Sequence, residues 1–279
     1  MSVLKEWEGL TLEDIEINGD GIRGISRPKF MISNKKGVEP QRLLYKSTCP
    51  RSQGKERKVA SILSSKGHRP HVYAVGEEYH LEEWIDNEGM LPKDLITNDI
   101  SLQHLAKSIA VLHHDEEIKA YLRTKDPATN KIMSDGLEDW LLAFQEQGIQ
   151  EKFHSAAENP ECKALADDFV LKRKEGLDEK IRKYYVDVKS SVLGEVAAHR
   201  DCHASNWIVP KDDPIRPIMV DYEEARIEFA GIDLGLQFIS GGWKNIWNQE
   251  QRRNFLKHYL KVYYDEFKEE KSESFEEFY

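Results

Sequence analysis

The chain has 279 residues, with 40 lysines and arginines against 50 aspartates and glutamates, for a formal net charge of −10. Hydrophobic residues make up 39% and aromatics 10%, enough to build a core and to exclude a disordered chain, while the length suits two lobes around a cleft. No apolar run approaches the ~20 residues of a membrane span, and the acidic balance argues against nucleic acid as the main partner, because duplex binding wants a clustered basic surface.

Residues 1–8 hold no apolar stretch before a small-residue cleavage site, so no signal peptide is read there. Cys49, Cys162 and Cys202 are odd in number and widely spaced, which fits a reducing, cytoplasmic compartment rather than a disulfide framework. Residues 11–17 and 30–33 read as short strands separated by a glycine-dense loop. Residues 42–47 (Arg-Leu-Leu-Tyr-Lys-Ser) form a third strand candidate. Over 56–66, Val59, Ile62 and Leu63 fall at helical spacing, and Gly67 closes the run. Residues 72–75 and 79–85 read as strands around a Gly-Glu-Glu turn.

From Ser101 onward the period is helical. Leu102, Leu105, Ile109 and Leu112 share one face, and 137–144 and 162–188 continue in that style. Residues 195–220 break it, with a polar stretch at 199–206 between short apolar runs. Helical spacing resumes over 249–267, where Phe255, Tyr259, Val262 and Tyr263 lie on one side. The lobe boundary is placed just after the strand ending at Ile85, dividing the chain into 1–88 and 89–279. The expected class is α+β, two-lobed and protein-kinase-like, with a small β-rich N-terminal lobe and a larger, mostly helical C-terminal lobe.

The chemistry concentrates in the polar stretch. His199, Asp201 and Asn206 read His-x-Asp-x-x-x-x-Asn, and Asp221 ends an apolar strand fifteen residues after Asn206. Phosphoryl transfer needs this set: one carboxylate to accept or orient the substrate hydroxyl, and an amide oxygen with a second carboxylate to hold Mg²⁺ against phosphate oxygens. Asp201 fits the base, and Asn206 and Asp221 the metal ligands. Upstream, Lys46 closes an apolar strand where it would reach the α/β phosphates of ATP, and Glu56 begins the next helix where it would pair with Lys46. Gly19, Gly21 and Gly24 carry a Gly-x-Gly-x-x-Gly spacing, with Ser26 at the loop's end; backbone N–H groups there would cover phosphates, although Asp20 sits unfavourably among them. Residues 81–85 (Leu-Glu-Glu-Trp-Ile), with Glu82 and Trp84, offer a hinge that binds adenine, or simply a buried strand. His113 and His114 read as core or capping residues, and Cys202 as packing.

These residues resemble the choline/ethanolamine kinases, within the aminoglycoside-phosphotransferase-like small-molecule kinases. The broad likeness rests on His199, Asp201, Asn206 and Asp221. The narrower one rests on residues 221–238 (Asp-Tyr-Glu-Glu-Ala-Arg-Ile-Glu-Phe-Ala-Gly-Ile-Asp-Leu-Gly-Leu-Gln-Phe), with support from Gly24-Ile25-Ser26 and the 81–85 segment. The likeness spans roughly residues 17–264 and implies ATP, Mg²⁺ and a small, cationic, hydroxyl-bearing acceptor, choline or ethanolamine first. It also implies that Glu223 lies near the metal or catalytic centre and that Asp233 ties the following segment to the catalytic loop. Family members continue with helices whose tryptophan-bearing segment encloses the quaternary ammonium, and none is found before residue 279. The cation is then expected against Trp243, Trp247, Tyr259 or Tyr263, with Glu228 as a carboxylate, or else these aromatics pack helices. A kinase for an aminoglycoside, another amino alcohol or a protein Ser/Thr stays open, as does a non-catalytic nucleotide-binding regulator.

Overall fold

The computed structural model describes residues 4–19, 28–48, 54–87, 96–125, 176, 179–180, 194–239 and 247–267. The helical reading at 137–144 lies outside the described residues, as does that at 162–188 apart from residues 176 and 179–180.

Five antiparallel strands form the first body: β1 (Ile15–Asn18), β2 (Lys29–Asn34), β3 (Arg42–Ser47), β4 (Val72–Val75) and β5 (Tyr79–Glu83), in spatial order β1-β2-β3-β5-β4. Helix α1 (Lys55–Ser65) connects β3 to β4. Its boundaries follow from glycine chemistry. Gly54 precedes it at φ 78° and Gly67 follows at φ 84°, conformations that cost a side-chain-bearing residue most. The register pairs Lys46 of β3 with Lys29 of β2 on one side and with His80 of β5 on the other.

The reading of 11–17 as a strand is corrected at its start. Thr11 accepts the chain into a 3-10 turn over Leu12–Asp14, and its backbone N–H and hydroxyl both donate to Asp14 Oδ2 at 3.0 Å. Thr-x-x-Asp is a capping pair, and this local bond wins over strand propensity, so β1 begins only at Ile15. The strand read over 79–85 likewise stops at Glu83.

The second body holds α2 (Asp99–His114), α3 (Glu116–Lys125), α4 (Ala230–Ile239) and α5 (Gln249–Val262). Two small antiparallel ladders accompany them: β6 (Glu195–Ala198) with β9 (Arg226–Phe229), and β7 (Trp207–Ile208) with β8 (Ile218–Met219). Asn98 caps α2 through Ile100 and Ser101, and Asn248 with Gln251 forms a capping box on α5. The predicted face of α2 is the buried one: Leu105, Ile109 and Leu112 are fully enclosed and share a core with Phe255 and Tyr259 of α5. That core also takes in Val59, Ile62 and Leu63 of α1, so the helix that follows β3 is anchored in the larger body. The sheet has its own small cluster of Leu4, Leu43 and Leu81. No described helix is long and apolar enough to cross a membrane.

Candidate active site

Lys46 points from the end of β3 into a buried nest of carboxylates. Its ammonium lies 2.5 Å from Glu82 Oε1 and 3.4 Å from Glu56 Oε1, with all three side chains at most 5% exposed. Burial alone pulls the ammonium down, but Glu82, Glu56 and Asp221 together override it and hold it above its ordinary value. The same balance works on Glu82, where burial opposes ionisation but Lys46 and His80 lower the carboxyl to about 2. Glu82 therefore does not serve as a hinge contact for adenine. Its backbone sits in ladders on both sides, opposite Leu44 of β3 and Val72 of β4, and its side chain belongs to Lys46. Trp84, just past the strand, is half-buried and donates its indole N–H to Asp86 Oδ1 at 3.0 Å.

The catalytic-loop candidate is held from three directions. Asn206 donates its amide to Asp201 twice, to the backbone oxygen at 2.8 Å and to Oδ2 at 3.0 Å. His203 accepts from Ser205 N at Nδ1 (3.2 Å), so the ring proton sits on Nε2, which lies 3.2 Å from Asp201 Oδ1. Beneath the loop, the fully buried Asp233 at the start of α4 accepts the backbone N–H of His199 at 2.6 Å and of Arg200 at 2.7 Å. Burial would raise the Asp233 carboxyl, yet His113 and His199 hold it below its ordinary value. His113 Nε2 reaches Asp233 Oδ2 at 3.0 Å, and the Tyr259 hydroxyl contacts both His113 Nδ1 (2.8 Å) and His114 Nε2 (3.0 Å). His199 in turn donates Nε2–H to the Val220 carbonyl at 2.9 Å, tying the loop to the residue before Asp221.

Asp221 leaves β8 at φ 72°, in the left-handed region. That turn aims its carboxylate back toward α1. Carboxylate oxygens of Asp221, Glu223 and Glu56 lie within 4.8 Å of one another, and Lys29 Nζ is 3.6 Å from Asp221 Oδ2. Three carboxylates, with no sulfur or imidazole among them, make a hard oxygen donor set of the kind that suits Mg²⁺. Asn206 commits its amide nitrogen to Asp201, so an oxygen-seeking ion could meet only its amide oxygen.

The sequence profile of the choline/ethanolamine kinases matches residues 50–278. The chain belongs to the choline/ethanolamine kinase family. Solved structures agree on the protein-kinase-like fold. A choline kinase from Cryptosporidium parvum Iowa II superposes with a TM-score of 0.63 at 20% identity, covering 94% of this chain and 76% of that one. A Plasmodium vivax ethanolamine kinase gives 0.60 at 17%, covering 89% and 67%. A spectinomycin phosphotransferase solved with ADP and spectinomycin gives 0.56 at 13%, covering 88% and 74%. No curated protein sequence matches the chain.

Within this kinase the expected acceptor residues fare differently from the transfer residues. Glu228 is fully buried in β9, with Arg200 Nε 3.7 Å away, and is a wall of the fold rather than a substrate contact. Trp247 is 4% exposed and packs edge-on against Phe238 and Phe255, so it is core and not a cation cage. Tyr259 is enclosed by the two histidines, and the Tyr263 ring lies tilted against His114 with centroids 4.5 Å apart. In each case an aromatic on an amphipathic face turned inward, as the packing alternative has it. Ser26, Gly21, Gly24 and Trp243 lie outside the described residues. The sequence reading overlooked the part played by four residues. Lys29 faces Asp221, His203 sits on the Asp201 carboxylate, and Tyr259 with His113 underpins Asp233. Only His203 carried a signal, its place inside the loop motif.

Proposed function

We propose that this kinase moves the γ-phosphate of ATP to the hydroxyl of choline or ethanolamine, with residues 1–88 as the nucleotide lobe and 89–279 as the catalytic and acceptor lobe. The observation that carries the reading is the Asp221, Glu56 and Glu223 cluster beside Lys46, joined to the loop of Asp201, Asn206 and His203 by the Val220 N–H on the Asn206 carbonyl. In it, Asp201 takes the hydroxyl proton as the acceptor oxygen bonds to the γ-phosphorus, and the bond from that phosphorus to the β,γ-bridging oxygen breaks to release ADP. Lys46 would bind the α/β phosphates, and main-chain groups from Trp84 onward, rather than Glu82, would meet the adenine. Mg²⁺, held by Asn206 and Asp221 with Glu223 close by, would neutralise charge building on the phosphate oxygens. Choline or ethanolamine is favoured by the family profile. A cytoplasmic enzyme supplying phospholipid headgroups follows from that acceptor.

The test is ATP consumption with Mg²⁺ against choline, ethanolamine, several aminoglycosides and a generic protein substrate, with Asp201→Asn as the blank. Turnover restricted to choline or ethanolamine supports the assignment. Turnover only on an aminoglycoside or protein keeps the reaction and overturns the acceptor. Bound ATP without turnover on any acceptor points to a regulator.

A further inference from the structure

A cavity of about 270 Å³ lies apart from the transfer site, between the end of α1, the middle of α2 and the segment entering β8. None of Lys46, Glu56, Asp201, Asn206 or Asp221 lines it. Beside the hydroxyl-bearing Ser108 and Tyr222, its wall carries two guanidiniums (Arg69 and Arg216), two imidazoles (His68 and His104) and one carboxylate, Asp213. In a chain of net charge −10, this lining sets four basic side chains against one acidic one.

The four basic groups are not equivalent. Arg69 is already committed, with Nε and Nη2 on Glu83 and Nη1 on Asp212. Among the described residues Arg216 meets only Asp213, through Nη1 at 3.2 Å, and keeps most of its five donors for another partner. The imidazoles of His68 and His104 are half-buried, and among the described residues neither has a hydrogen-bond partner at its ring nitrogens. Their ring nitrogens are therefore open to an incoming partner. Both rings sit below their ordinary values. For His104 the causes are burial, then Arg216, His68 and Lys107, against Asp213. For His68 they are burial, then Lys107 and Lys66, against Asp115 and Glu266. Each ring is thus held neutral by burial and neighbouring cations, a state that an incoming negative charge relieves. A cation entering the same space would face two guanidiniums, whereas an oxyanion would accept from Arg216 and both rings.

We propose that this cavity is a binding site for a small oxyanion of the phosphate or dicarboxylate class, separate from the transfer site. Because the anion favours the charged imidazoles, its binding takes up protons, and affinity rises as pH falls from 8 toward 6.

The experiment follows histidine ring resonances of the full chain by NMR while inorganic phosphate is added and then, separately, succinate. Mg·ADP is present throughout to occupy the transfer site. The expected result is saturable movement of His68 and His104 without movement of His203. Arg216→Gln should weaken binding roughly tenfold, and Asp213→Asn, which removes the competing carboxylate, should tighten it several-fold. Both positions face solvent, at 61% and 33% side-chain exposure, so neither variant tests folding. Saturation by only one of the two anions identifies the class and supports the site. Movement of His203 alone, no movement with either anion, or the same affinity in all three proteins would overturn the proposal.

Discussion

Replacing Glu82 with Gln tests a counter-charge role that the sequence reading assigned to Glu56 alone. In the structure Glu82 is the nearer of Lys46's partners, at 2.5 Å against 3.4 Å for Glu56, and it also meets His80 Nε2 at 3.3 Å. Its carboxyl is lowered from 4.5 to about 2 in the folded protein. At about 1.4 kcal/mol per unit, that ionisation is linked to roughly 3 kcal/mol of stability at neutral pH. The folded value is the depressed one, so this stability is fully present above pH 4.5 and is lost as pH falls from there toward 2. Glu82→Gln should therefore unfold about 3 kcal/mol more easily at pH 7, consistent with the usual cost of breaking a buried pair from one side. The gap between variant and parent should narrow steadily below pH 4.5. Glu56→Gln, which removes the more distant partner, should cost about 1–2 kcal/mol. Urea unfolding followed by tryptophan fluorescence at pH 7, 4 and 3 reads all three quantities. Equal losses for the two variants, or a gap that does not shrink in acid, would refute the claim that Glu82 is the principal counter-charge.

The remaining predictions concern the transfer site and the core. Asp201→Asn should lower kcat by roughly 10²–10⁴-fold while leaving Mg·ATP affinity within a few-fold of the parent, as measured by steady-state kinetics and calorimetry. His203→Ala removes a single hydrogen bond to the base, and kcat should fall about five- to tenfold with the KM for ATP unchanged. A matching change in KM would mean that His203 touches nucleotide instead. Trp247→Ala should cost about 3–5 kcal/mol in unfolding free energy, because it opens a hole beside Phe238 and Phe255. The fraction that remains folded should keep its acceptor KM; a large rise in that KM would return Trp247 to the pocket.

Legibility followed sequence distance. The β3 strand, α1 and the predicted face of α2 are local patterns, and each lies where its spacing puts it. The loop from His199 to Asn206 and the later Asp221 stood out because phosphoryl transfer fixes both residue type and spacing, and the structure ties them together through Asp201, Asn206 and Val220. Glu82 was not. It meets Lys46 only because the β3–β5 register sets Lys46 opposite His80, which brings Glu82 within diagonal reach on the same face. Lys29 reaches Asp221 for the same kind of reason, through the β2–β3 pairing. Trp247, Tyr259 and Glu228 misled because an aromatic or acid on an amphipathic face looks the same whether that face lines a pocket or closes a core. The 11–17 strand failed at Thr11, where a four-residue capping bond outweighed alternation.

The backbone itself marks where the protein concentrates strain. Among the described residues only Arg200 and Asp221 combine a side chain with positive φ, at 67° and 72°, and both stand at the transfer site. Neither conformation would hold without support, since each costs on the order of 1 kcal/mol or more. Arg200 is supported by Asp233, which takes two consecutive amides on one carboxylate and is itself braced by His113. Asp221 is supported from the other end, where His199 holds the Val220 carbonyl and Val220 N–H donates to the Asn206 carbonyl at 2.9 Å. The two strained residues are thus locked by one set of bonds, which also joins Asp201 to Asn206. The buried face beneath the loop therefore sets the geometry of Asp201 and of the Asp221 carboxylate together.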